Sequence, residues 1–171
     1  MTPYLRSSTI VAGLGAALLG AALLATPAVA ATTATITLNG SSATVSGSNV
    51  TVAGSAVTIT APGSYQIGGT LTNGQVKVDT ATTGTVEIIL SGASITNATS
   101  SALWVANASN VTLTLAAGTS NSLADGATYS SADEPDATLF STADLTIGGT
   151  GITTLERARA LGASELVLRP V

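Results

Sequence analysis

Crowded carboxylates are the first feature of this sequence that could do chemistry. Asp133-Glu134-Pro135-Asp136 is its only acidic cluster, with Asp125 before it and Asp144 after it. Like charges this close repel unless a cation neutralises them. Ca2+ takes roughly six to eight oxygen ligands from such loops, and nearby Ser, Thr and carbonyl oxygens could complete the shell. The spacing is not that of an EF-hand, and a solvated acidic loop is the other reading. The chain has no His and no Cys. That excludes Ser-His-Asp catalysis and imidazole or thiolate metal sites, so any metal is held through oxygen, which points to calcium rather than zinc.

Aromatic rings are the second resource. Trp104, Tyr65 and Tyr129 are candidates for stacking on sugar rings, where an apolar face meets a polar rim. Tyr129, beside the acidic loop, is the best surface candidate. Trp104 and Phe140 sit in apolar strand contexts, and for these two core is the stronger reading. Catalysis lacks support. A hydrolase needs two positioned carboxylates, and no inward-facing pair is evident. A lyase needs a base, and Lys77, the only basic residue of the β-region, is far in sequence from the acidic loop.

These residues sit in a chain patterned for export. Arg6 precedes an apolar run from Ile10 to Leu24, and Pro27 leads into Ala28-Val29-Ala30. This is the order of a secretory signal peptide, with cleavage expected after Ala30. The run is shorter than the ~20 residues of a membrane span, so no membrane attachment is expected after cleavage. Without Arg6, 4 basic residues face 9 acidic ones, a net charge of −5. An acidic surface argues against nucleic-acid binding. Charged residues make up 8% of the chain, against about 25% in an ordinary domain, so Thr, Ser and Asn must cover the surface.

The elements that position the candidates read as short strands. From Ala31 to Ser55, β-branched and small polar residues alternate, as short strands or as a loosely ordered lead-in. From Val57 the alternation firms up, with Asn73-Gly74 as a strong turn signal. Similar phrases recur: Leu103-Trp104-Val105 then Asn110-Val111-Thr112-Leu113, and later Leu139-Phe140-Ser141 then Asp144-Leu145-Thr146-Ile147. Strands recurring at intervals of roughly 20–30 residues suggest stacked units. The expected fold is all-β, a parallel β-helix or solenoid, with a β-sandwich as the alternative.

The run from Val57 to Gly151 resembles the secreted bacterial carbohydrate-binding domains. The phrases that carry this are Thr58-Ile59-Thr60-Ala61-Pro62-Gly63-Ser64-Tyr65, Gly69-Thr70-Leu71-Thr72-Asn73-Gly74-Gln75-Val76, Leu90-Ser91-Gly92-Ala93-Ser94-Ile95-Thr96-Asn97, Leu123-Ala124-Asp125-Gly126 and Asp144-Leu145-Thr146-Ile147. The resemblance implies a right-handed parallel β-helix, bound calcium, and a plant or microbial polysaccharide as partner. It covers only the N-terminal part of the family domain. The implied organisation is a signal peptide (1–30), a lead-in (31–55), a carbohydrate-binding domain (56–151) and a divergent tail (152–171). The tail from Thr154 to Ala163 reads as helix, either capping the fold or ending a truncated fragment, and its break in composition favours the fragment. The expected function is non-catalytic extracellular polysaccharide binding. The alternative is a structural or adhesive surface protein.

Overall fold

The computed structural model describes residues 31–126, 129, 135–155, 158–160 and 166–168. The expected signal peptide, Asp133 and Glu134 lie outside the described residues. Alternating β-branched and polar residues form β1 (Thr32–Gly40), β2 (Ala43–Gly47), β3 (Val50–Ala53), β4 (Ala56–Ile59) and β5 (Gly63–Leu71). There follow β6 (Gln75–Asp79), β7 (Thr85–Asn97), β8 (Leu103–Asn107), β9 (Asn110–Leu115) and β10 (Ser120–Asp125). The described chain closes with β11 (Leu139–Ser141), β12 (Asp144–Gly149), β13 (Ile152–Leu155), β14 (Ala158–Ala160) and β15 (Leu166–Leu168).

Two sheets take up all of these strands. The first runs β15-β12-β9-β7-β5-β1-β2, with β10 bridging β7 and β13. The second runs β14-β11-β8-β6-β4-β3. From β4 to β9 the chain changes sheet at every strand, so the parallel pairs join strands two apart in chain order. Pairing is parallel except in two hairpins, β1 with β2 and β3 with β4. The antiparallel pairing that a β-sandwich requires is therefore confined to the N-terminal end.

Parallel register stacks like on like. Ile36, Ile67, Leu90 and Leu115 form one inward column of the first sheet. Ala34, Tyr65, Ile88, Leu113 and Ile147 form the next. Val57, Val76, Leu103 and Leu139 face them from the second sheet. These columns meet in one continuous core. Burying such side chains gives each roughly 1.5–3 kcal/mol, so a slip of one residue, which would turn every column outward, is strongly disfavoured.

The segment expected as a lead-in is β1 to β3. Its strands β2 and β3 end the two sheets, and Val45, Val50 and Val52 lie partly buried against the core. The helix expected over Thr154 to Ala163 is not formed. Ile152–Leu155 pairs with β10, Ala158–Ala160 with β11, and Leu166–Leu168 with β12, all in parallel. The open edges of those strands offer unpaired N–H and C=O groups. Satisfying them outweighs the helix propensity of Ala, Arg and Leu, which is high in rank but differs from that of other ordinary residues by under about 1 kcal/mol per residue.

Turns are locked by side-chain amides. At Gly92, φ is 74°, a conformation that an L side chain adopts only at a cost of roughly 1–2 kcal/mol. There β7 reverses which parity faces the core: Leu90 is inward before the kink and Ala93 after it. The two N–H groups freed at the kink, of Gly92 and Ala93, donate to Asn121 Oδ1 at 3.0 and 2.9 Å. Asn121 Nδ2 then donates to the Ile152 carbonyl at 3.1 Å. One buried amide thus clamps β7, β10 and the start of β13. Asn97 closes its own turn by accepting from the N–H groups of Thr99 and Ser100, and it donates to the Gly74 carbonyl of the neighbouring turn.

Candidate functional site

Pleat parity decides which of the candidate residues can meet a ligand. On β8, Leu103 and Val105 are buried in the core and Trp104 points the other way, half-buried on the outer face of the second sheet. On β6, Lys77 stands out between Val76 and Val78 in the same manner. Register places Lys77 beside Trp104 and Trp104 beside Phe140. The Lys77 ammonium lies 4.7 Å from the centre of the Trp104 ring. It also makes an ion pair with Asp79 Oδ2 at 2.7 Å, and both partners are partly open to solvent. A cation over an indole face is held by the ring quadrupole. The indole N–H of Trp104 is buried and finds no acceptor among the described residues.

This outer ladder was only partly legible in the sequence. Trp104 is not core, contrary to the stronger of its two readings, because its strand parity turns it outward. Phe140 is buried, but on the outer parity and outside the main core cluster. The sequence does not mark Lys77 and Asp79 as partners of Trp104, because the distance that separates them in sequence vanishes only once β6 pairs with β8. The available signal was the matching parity of Val76-Lys77-Val78 and Leu103-Trp104-Val105.

Tyr65 must be withdrawn as a ring-stacking candidate. It is fully buried in the inward column, and its hydroxyl donates to the Ala61 carbonyl at 2.7 Å. Burial pushes the phenol above its ordinary pKa, and a hydrogen bond with the Asn49 side chain offsets part of that. Tyr129 is half-buried, with its hydroxyl donating to Asp125 Oδ2.

The acidic residues do not form one site. Asp125, at the end of β10, is also held by Thr138, whose hydroxyl donates to Oδ1 at 2.6 Å. Asp136 is exposed and close in sequence to Thr138. Asp144 is elsewhere. It pairs in register with Asn110 and so with Thr85 at the start of β7, whereas Asp125 pairs with Asn97 at the end of β7. The length of a long strand separates the two, so Asp144 cannot share a cation with Asp125. Among the described residues no group of three Asp, Glu, His or Cys side chains gathers. Asp125 and Asp136 remain the described oxygen donors that suit calcium.

Residues 53–163 match the family described as carbohydrate-binding domain-containing protein. The chain belongs to that family. The match takes in Lys77, Asp79, Trp104, Asp125 and Tyr129. A carbohydrate-binding domain-containing protein of Acetivibrio thermocellus is 36% identical over 97 residues, which cover 54% of this chain and 34% of the relative. The solved structure of the polysaccharide lyase-like protein from C. thermocellum, a gadolinium derivative, superposes with a TM-score of 0.67 at 31% identity. That superposition covers 70% of this chain and 50% of the solved one. The chain thus spans a third to a half of the relatives it matches.

Proposed function

We propose that this chain is a non-catalytic, secreted polysaccharide-binding module, built as a right-handed parallel β-helix. The observation that carries the reading is the outward Lys77–Trp104–Asp79 group on a sheet that belongs to a carbohydrate-binding family. An indole presents apolar area to the face of a sugar ring, while an ammonium and a carboxylate beside it bind hydroxyls. The strand-by-strand change of sheet supports the β-helix. The tight parallel stacking gives such a platform a rigid base, which limits the entropy lost on binding.

Calcium is part of the proposal. Gadolinium in the solved relative is, like calcium, a hard cation that prefers oxygen, and Asp125 and Asp136 with Asp133 and Glu134 of the same loop supply carboxylates. Binding to immobilised plant and microbial polysaccharides, with and without chelator, tests the function. Trp104→Ala should lower affinity at least tenfold while leaving the circular dichroism spectrum unchanged. Unaltered binding would remove the platform, absence of binding to any glycan would favour a structural or adhesive role, and release of unsaturated sugars would establish a lyase.

A further inference from the structure

The opposite face of the molecule carries a groove that the glycan reading does not use. On the outer side of the first sheet, Ser64 pairs in register with Glu87 and Glu87 with Thr112. With Ala31, Thr33, Gly63 and Thr85 these residues line an open groove of about 280 Å3. No lining residue is aromatic, so the groove offers a sugar ring nothing to stack on. Two of its polar groups are unmatched among the described residues. Ser64 is 2% exposed and its hydroxyl has no hydrogen-bond partner. The Glu87 carboxylate is engaged by no ion pair or hydrogen bond. Thr33 Oγ1 already accepts from the Ser64 N–H at 3.1 Å.

This is a set of acceptors carrying one negative charge, and it suits a small cation with several N–H donors. Ala31 forms part of the wall. It is also the first residue after the expected cleavage site, where hydrolysis of the Ala30–Ala31 peptide bond would turn its amide nitrogen into an α-ammonium. We propose that the groove is the seat of the processed N-terminus: the α-ammonium of Ala31 docks between Glu87 and the Ser64 hydroxyl. The inference rests on cleavage after Ala30. It makes removal of the leader a step that completes the edge of the fold, because an uncleaved chain has a neutral amide at that point.

The surrounding charges agree in sign. Strands β1, β5 and β9 carry no ionisable side chain except Tyr65, which faces the core, and β7 brings Glu87. Asp144, at the start of β12, lies beyond Asn110 and Thr85 in the same register. A carboxylate beside the amine favours its charged form, so its folded pKa should lie above the ordinary value of about 8. The stabilisation is then complete below that ordinary value and is lost as pH rises through the folded one.

The test uses residues 31–171 released from an N-terminal fusion, so that Ala31 is the first residue whatever the secretion machinery does. A failure here is thereby separated from a failure of the cleavage site, which mass spectrometry of secreted protein reads directly. The α-amine should titrate above about 8 by NMR. Selective N-acetylation should lower Tm by about 2–4 °C at pH 6 and leave it unchanged at pH 10. Glu87→Gln should lower Tm at pH 6 to a similar degree, and acetylating that variant should add nothing. An α-amine titrating at or below its ordinary value, or an acetylation effect that persists in Glu87→Gln, overturns the proposal.

Discussion

The phenol of Tyr65 keeps its proton because a buried phenolate would lose its hydration. That residue therefore ties stability to pH. Its folded pKa is raised above its unfolded value of about 10. Above that pH the unfolded chain releases the proton and the folded chain does not, so stability should fall steadily until the folded pKa is passed. Tyr65→Phe should flatten this alkaline loss in urea-melt series at pH 9 to 11. At neutral pH it should cost about 1 kcal/mol for the lost bond to Ala61. An alkaline limb as steep in the variant as in the parent would mean that another group controls it. Trp104, on the outward parity of its strand, has the reverse situation. Its ring is partly wet, it is held by Lys77, and it is free to contribute surface to a partner.

Among the elements, β10 joins β7 to β13. Its Asn121 satisfies two N–H groups at the kink of β7 and one carbonyl at the start of β13. Removing the amide leaves these backbone groups without their partner in a site that is 4% exposed. Each such orphan costs roughly 1–3 kcal/mol, less where water can enter. Asn121→Ala should therefore lower Tm by roughly 5 °C or more, and hydrogen exchange should accelerate first at Gly92 and Ala93. Asn121→Asp, which keeps an acceptor toward Gly92 and Ala93 but loses the donor to Ile152, should fall between parent and Ala variant. Equal melting of all three proteins would show that the clamp adds nothing. A pattern of apolar residues cannot reveal this role, because the amide acts on three strands that only the folded chain brings together.

For the whole molecule, the strands at both ends depend on their neighbours for pairing. The N-terminal hairpins close the first end by folding β2 and β3 back onto β1 and β4. Near the other end, the acidic loop lies between β10 and β11, which belong to different sheets. A cation held there would join the sheets and neutralise the carboxylates, and a ligand bound only by the native state raises stability by mass action. EDTA should lower Tm, excess Ca2+ should restore it, and Asp133→Ala combined with Asp136→Ala should abolish both responses. A melting curve indifferent to EDTA would leave the loop as a solvated one.

The sequence by itself determined the all-β class, most strand positions and the inward faces, because side chains alternate along a strand with a fixed period of two. Val76 and Val78, Leu103 and Val105, and Leu145 and Ile147 could be read as core from that period alone. The scarcity of charge and the absence of His and Cys likewise narrowed the chemistry without any coordinates. Tertiary structure decided what depends on register between strands distant in sequence. It placed Lys77 over Trp104, sent Tyr65 inward, separated Asp144 from Asp125, and made strands of a tail whose composition suggested helix. Local pattern sets which way a side chain points, but hydrogen-bonded pairing across the sheets sets which side chains meet.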